Sequence, residues 1–303
     1  MTLSQAIIST LSYYDIFNYP LKIEQIHQYL ISQKVNILQV QKSINQLINT
    51  NQIGADDNYF YLKNRSKLVL LRKQRNRISK AKLKRAYFFA DILKVIPTLK
   101  LVAISGALAM ENSHKNDDID LVLVSSDLTI WTTRFFSNLL LLPFKRDPDG
   151  KKVADRACLN LFLDESGLKI KTQNLYIAHE ISQMKLIWDR DGAYQKFIGT
   201  NRWINKYLPN WEPQVANSKC SPGEDLAKPR KMVNRNTFKI YSPFTIHHSP
   251  VETFLKKVQL WYMRSKITTE TIGKNQLFFH PQDTEKWVIE EYQKRLIKLG
   301  IQD

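Results

Sequence analysis

Apolar residues in the first sixty-odd positions recur three times at helical spacing and then switch to strand-like runs. Leu3, Ile7, Leu11 and Tyr14 line one face of a helix that must end before Pro20. Ile23, Ile26 and Leu30 repeat the pattern, and Val40, Ile44, Leu47 and Ile48 do so again behind an N-cap at Asn36. The stretch "QIGADDNYFYLK" then offers two short strands about an Asp-Asp-Asn turn. Three helices followed by a hairpin predict a winged helix over residues 1–63. Its third helix carries Gln39, Gln41, Asn45, Gln46 and Asn49 with Lys42 as the one positive charge, which suits packing or docking better than reading DNA.

Residues 64–97 read as a connecting helix, and from Leu99 the pattern alternates between strand and helix. "LKLVAISG", "DIDLVLVSS" and "ACLNLFLDE" are strands. "LTIWTTRFFSNLLLL", "NLYIAHEISQMKLIW" and "AYQKFIGTNRWINKYL" are helices. The expected fold class is therefore α+β, a mixed sheet over residues 98–211 with helices on one face. Residues 212–238, rich in Pro, polar and basic side chains, read as a mobile linker, and 239–303 as a C-terminal helical region.

Charge changes this picture in one place. Across the chain 45 Lys and Arg face 28 Asp and Glu, a formal net charge of +17, which favours anionic partners. The segment from Arg65 to Arg85 holds basic residues and no acid, so a possible nucleic-acid contact is expected there, with Arg72, Arg75 and Lys82 as its candidates. The start of the chain lacks the pattern of a signal peptide, and "FFSNLLLLPF" is too short to span a bilayer. A cytoplasmic protein with no membrane partner is expected. Cys158 and Cys220 have no metal or disulfide spacing. His247, His248 and His280 have no ligand spacing either, and His179 beside Glu180 reads as a packed or hydrogen-bonded pair.

The chemistry concentrates in "SGALAMENSHKNDDIDLVLV", residues 105–124. On a strand alternate side chains share a face, so Asp118 and Asp120 point together while Ile119, Leu121 and Leu123 point away. Two adjacent carboxylates repel, and Mg²⁺ relieves them while keeping coordination sites for water and phosphate. The turn at Ser105, Gly106 and Ala107 lets the backbone approach a phosphate closely, and Arg134 on the following helix is a further candidate for a triphosphate.

This arrangement resembles the nucleotidyltransferases of the DNA polymerase β superfamily, whose signature is a Gly-Ser turn followed by Asp-hydrophobic-Asp on a strand. The resemblance covers residues 98 to about 165. A broader likeness, carried by "YYDIFNYPL", "GALAM…DDIDL" and "NLYIAHEISQMK", is to bacterial proteins that join a winged helix to such a domain. It implies a magnesium-dependent transfer of a nucleotidyl group from a nucleoside triphosphate to an acceptor hydroxyl, with Asp118 and Asp120 as metal ligands. Two departures stand out. Ala107 replaces the family serine, and the third acid is expected at Asn160, where an amide cannot act as a base. Asp155 and Asp164 are nearby substitutes. The alternative is a catalytically weak or inactive fold that binds nucleotide or nucleic acid for regulation.

Overall fold

The computed structural model describes residues 1–147, 150–213, 250–264, 271–279 and 283–301. The expected linker lies outside them except for residues 212 and 213, as do Cys220, His247, His248 and His280. The chain opens with α1 (Leu3–Asp15), α2 (Ile23–Gln28) and α3 (Ile37–Asn49), followed by the hairpin β1 (Ile53–Asp56) and β2 (Tyr59–Leu62). Capping boxes start two of these helices, Thr2 with Gln5 and Asn36 with Gln39, each satisfying backbone N–H groups the first turn leaves unpaired. Asp57 and Asn58 both adopt positive φ, as a two-residue hairpin turn requires. Leu21 exchanges two backbone hydrogen bonds with Phe60 and ties the α1–α2 connection to the hairpin.

The long helix α4 (Lys67–Leu93) leads to β3 (Leu99–Ile104), the one-turn α5 (Gly106–Ala109), β4 (Ile119–Ser125), α6 (Ile130–Leu140) and β5 (Ala157–Asp164). Then come α7 (Leu175–Gln183), β6 (Lys185–Asp189), α8 (Ala193–Thr200), α9 (Pro250–Met263), β7 (Thr271–Ile272), β8 (Gln276–Phe278) and α10 (Asp283–Lys298). The main sheet runs β6-β3-β4-β5-β8-β7, antiparallel throughout except for the parallel pair β4–β5. The fold is mixed α+β, as expected.

Three expectations need correction. Helices cover both faces of the sheet, not one: Leu101, Ala103, Val122 and Val124 pack toward α1, α7 and α8, while Val102, Ile104, Leu121 and Leu123 pack toward α4 and α6. The helix at 174–188 stops at Gln183, because Met184 turns extended (ψ 128°) and the next five residues pair with β3 as β6. Five residues are too few for periodicity to separate strand from helix. The C-terminal region is not wholly helical either, since β8 pairs with β5 and covers an edge that would otherwise present unpaired N–H and C=O groups.

The first core joins the two halves of the chain. It runs without a break from Ile7, Ile26 and Ile44 in the N-terminal helices to Val122 in the sheet. His179 of α7 stacks on Tyr13 at 4.0 Å, and its Nδ1 lies 3.2 Å from the Tyr14 hydroxyl.

The basic helix is also corrected in part. Arg72 is buried and donates to the carbonyls of Met110 and Glu111 while stacking on Tyr19. Arg75 donates to the Phe17 carbonyl and to Asn112, and Lys82, 3% exposed, donates to the carbonyls of Lys115 and Asp117 and to Asp155. These three cations hold the loop between the glycine turn and β4 and face away from solvent. Lys82→Met should therefore destabilise the protein by about 2–4 kcal/mol, because it strands buried acceptors. Lys80→Met, on the exposed face, should stay within about 0.5 kcal/mol. Urea unfolding of both variants checks the contrast.

Candidate active site

The site forms where β3, β4 and β5 present their ends to α7. Asp118 precedes β4 and Asp120 is its second residue, and Ile119, Leu121 and Leu123 are fully buried on the opposite face, as the alternation requires. Gly106 sits at φ +64°, and a Cβ added there would lie 3.2 Å from the Asp120 Oδ2. Glycine is thus needed twice over, for its left-handed backbone and for its contact with the carboxylate. The Ser105 N–H is already committed to the Asp120 carbonyl, at 3.1 Å. Ala107 is exposed at the rim of the same turn.

The side chain that β5 brings beside the two carboxylates is Cys158. Asp120 pairs with Cys158 across the parallel β4–β5 ladder, and one ligand atom each from Asp118, Asp120 and Cys158 lie within 4.8 Å of one another. The register then jumps from Leu121↔Leu159 to Val122↔Leu161, so Asn160 is the extra residue of a bulge. The bulge divides the leucines of β5: Leu159 and Phe162 join the core beneath α6, whereas Leu161 and Leu163 join the other. Asn160 is 9% exposed, and its Oδ1 has no hydrogen-bond partner among the described residues.

The electrostatics follow from burial. The Asp120 carboxyl is pushed up to about 7, first by loss of water and then by Asp118, while a hydrogen bond from the Cys158 thiol and the charge of Arg146 pull it down. Burial and Asp120 push the Cys158 thiol far above its ordinary range, so it stays protonated. Arg146 donates from Nη1 to Asp118 Oδ2 at 2.7 Å. No periodicity or spacing marks Arg146; its one visible signal is a basic pair, Lys145 and Arg146, in the connection before β5.

Across from Asp120, α7 carries Glu180. Its carboxyl is pushed up to about 7 by burial and by Asp120, and both side chains line a cavity of about 590 Å³. The sequence marks Glu180 only as the neighbour of His179. That neighbour is packed, as expected: fully buried, neutral, and lowered to about 3 by burial. Asn160, Ser105, Gly106 and Ala107 line the cavity too, with aromatic walls from Tyr13, Phe17 and Tyr176.

Other candidates lie elsewhere. Arg134 belongs to the opposite face of the sheet, where it donates to Gln259 of α9 and sits over the Phe279 ring, so it does not reach the glycine turn. Asp155 is paired with Lys82, and Asp164 accepts hydrogen bonds from the Ser166 backbone and hydroxyl as a strand-end turn residue. Among the described residues no helix is long and apolar enough to cross a membrane. Compared with known proteins, the chain matches no family model, and no curated protein or solved structure is significantly similar to it.

Asp120 and Glu180 hold their protons more tightly when folded than their ordinary values of 3.8 and 4.5 allow. A raised carboxyl makes the folded chain bind more protons than the unfolded one, so stability falls as pH rises from about 4 through about 7. Glu180→Gln should flatten the decline in melting temperature between about pH 5 and about pH 8 and stabilise the protein at the upper end by on the order of 1–2 kcal/mol. Thermal melts across that range test it.

Proposed function

We propose that this chain binds a nucleoside triphosphate together with Mg²⁺ at Asp118 and Asp120 and moves a nucleotidyl group to an acceptor hydroxyl, as its nucleotidyltransferase-like segment implies. The observation that carries the reading is the pair of carboxylates and the Cys158 thiol converging within 4.8 Å beside a glycine turn that touches Asp120. The donor set fits a hard cation through its two carboxylates, with the protonated thiol acting as a hydrogen-bond donor and not as a ligand. When bound, the ion neutralises phosphate charge. Arg146, half exposed at Asp118, offers a planar guanidinium to phosphate oxygens at the same rim. Glu180, near neutrality, is suited to accept or release a proton at its carboxyl.

The mixed sheet with its Asp-Ile-Asp strand supports the nucleotidyltransferase arrangement, and the helix, helix, helix, hairpin order supports a winged helix. Ala107 and the thiol beside the two carboxylates favour slow transfer, or a binding protein that retains the site without turnover. In calorimetry, Mg²⁺ should tighten triphosphate binding at least about tenfold, and Asp118→Asn with Asp120→Asn should abolish that gain. Unchanged coupling in the double variant sinks the assignment. Cys158→Asp, which restores an acid beside Asp120, should raise radiolabelled transfer from a slow or undetectable level; brisk transfer by the natural chain refutes the weak-enzyme reading.

Nucleic acid remains a proposed partner of α4 through its exposed face, where Arg77, Lys80, Lys84 and Arg85 lie. Replacing Arg77, Lys80 and Lys84 by Gln should flatten the salt dependence of RNA binding by roughly one unit of log slope for each phosphate no longer neutralised. A slope identical to that of the natural chain makes this a solvated helix face.

A further inference from the structure

We propose that the cavity between the glycine turn and α7 binds a small amphiphilic amine, with its ammonium against Asp120, Glu180 and Asn160 and its apolar body among the rings of Tyr13, Phe17 and Tyr176. The volume of about 590 Å³ is that of a small-molecule site. Its chemistry is one-sided. Asp120, Glu180 and the Asn160 Oδ1 present hydrogen-bond acceptors, and the basic group among the described lining residues, Lys171, is exposed at the mouth.

The Asn160 oxygen is the independent sign of a ligand. A buried amide oxygen without a partner costs about 1–3 kcal/mol, and this one belongs to a residue nine-tenths buried in the cavity wall. Alternation from Cys158 puts it there, and the bulge that follows leaves Leu161 lining the same cavity. A donor entering the cavity satisfies it.

The two carboxylates decide the charge of that donor. An anion would favour neither carboxyl group's ionised form, and a wholly apolar guest would leave the Asn160 oxygen without a donor. An ammonium pairs with both carboxylates, and the aromatic walls attract a cation through their ring faces as well as burying its hydrocarbon. On the transfer reading this molecule is the acceptor through a hydroxyl on its body, with the ammonium serving to hold it, and that assignment rests on that reading; the binding of the amine does not.

The test is calorimetry on the full chain without divalent ion or nucleotide, using phenethylamine, 2-phenylethanol, phenylacetate and ATP as probes. Phenethylamine should bind at least about tenfold tighter than 2-phenylethanol, with phenylacetate and metal-free ATP weaker still. Glu180→Gln, with its fold verified by circular dichroism, should weaken the amine about tenfold. Thr172→Arg adds bulk and positive charge at an exposed lining position and should weaken it too, without disturbing the core. Equal affinity for amine and alcohol, preference for ATP, or amine binding unchanged in both variants overturns the inference. Amine binding without Mg²⁺-dependent triphosphate binding upholds it and sinks the transfer reading; the reverse result does the opposite.

Discussion

Asp120 has a carboxyl group on either side of it, Asp118 beside it at the start of the strand and Glu180 across the cavity, and much of the surrounding structure can be understood as the accommodation of that charge. Arg146 sits against the outermost of them, the Cys158 thiol donates to the middle one, and the two deeper groups shift toward holding protons. Such a site demands a rigid frame, because charges free to move apart would do so. The frame is supplied by Gly106, which brings backbone against Asp120, and by α4, whose Arg72 and Lys82 fix the loop leading to Asp118 by its own carbonyls while Arg75 holds it through the Asn112 side chain.

The N-terminal helices belong to this frame. Asp15 at the end of α1 accepts from Arg65 and from Arg295 of α10, drawing the start, the connecting helix and the end of the described chain to one point. Tyr13 and Tyr14 pack on His179, one residue before Glu180. The helices read as a winged helix form a wall of the cavity and share one continuous core with the sheet.

The sequence made legible what repeats or alternates over several residues. The first three helices, the hairpin turn, β3, β4 and the shared face of Asp118 and Asp120 follow from local periodicity, and the structure retains them. What escaped depends on partners distant in the chain. A single-residue bulge at Asn160 split Leu159 from Leu161 and Leu163, and nothing in "ACLNLFLDE" marks where a ladder will slip. Burial made the difference for Arg134 and Glu180: one helix turned its guanidinium toward α9, the other turned its carboxyl toward the site, and amphipathic pattern alone does not say which helix faces which side of a sheet. The inward cations of α4 were hidden for a related reason. Most of their acceptors are backbone carbonyls, which sequence does not display.

The pairing of β8 with β5 has a consequence for how the molecule is made. A ribosome delivers β5, with its run of Leu and Phe, long before it delivers residues 276–278. Through that interval the outer edge of β5 is an open template, ready to join any strand at hand, including one from a neighbouring nascent chain. Residues 276–278 therefore act as a closing seam: β5 ceases to be an open edge only when they have folded back on it.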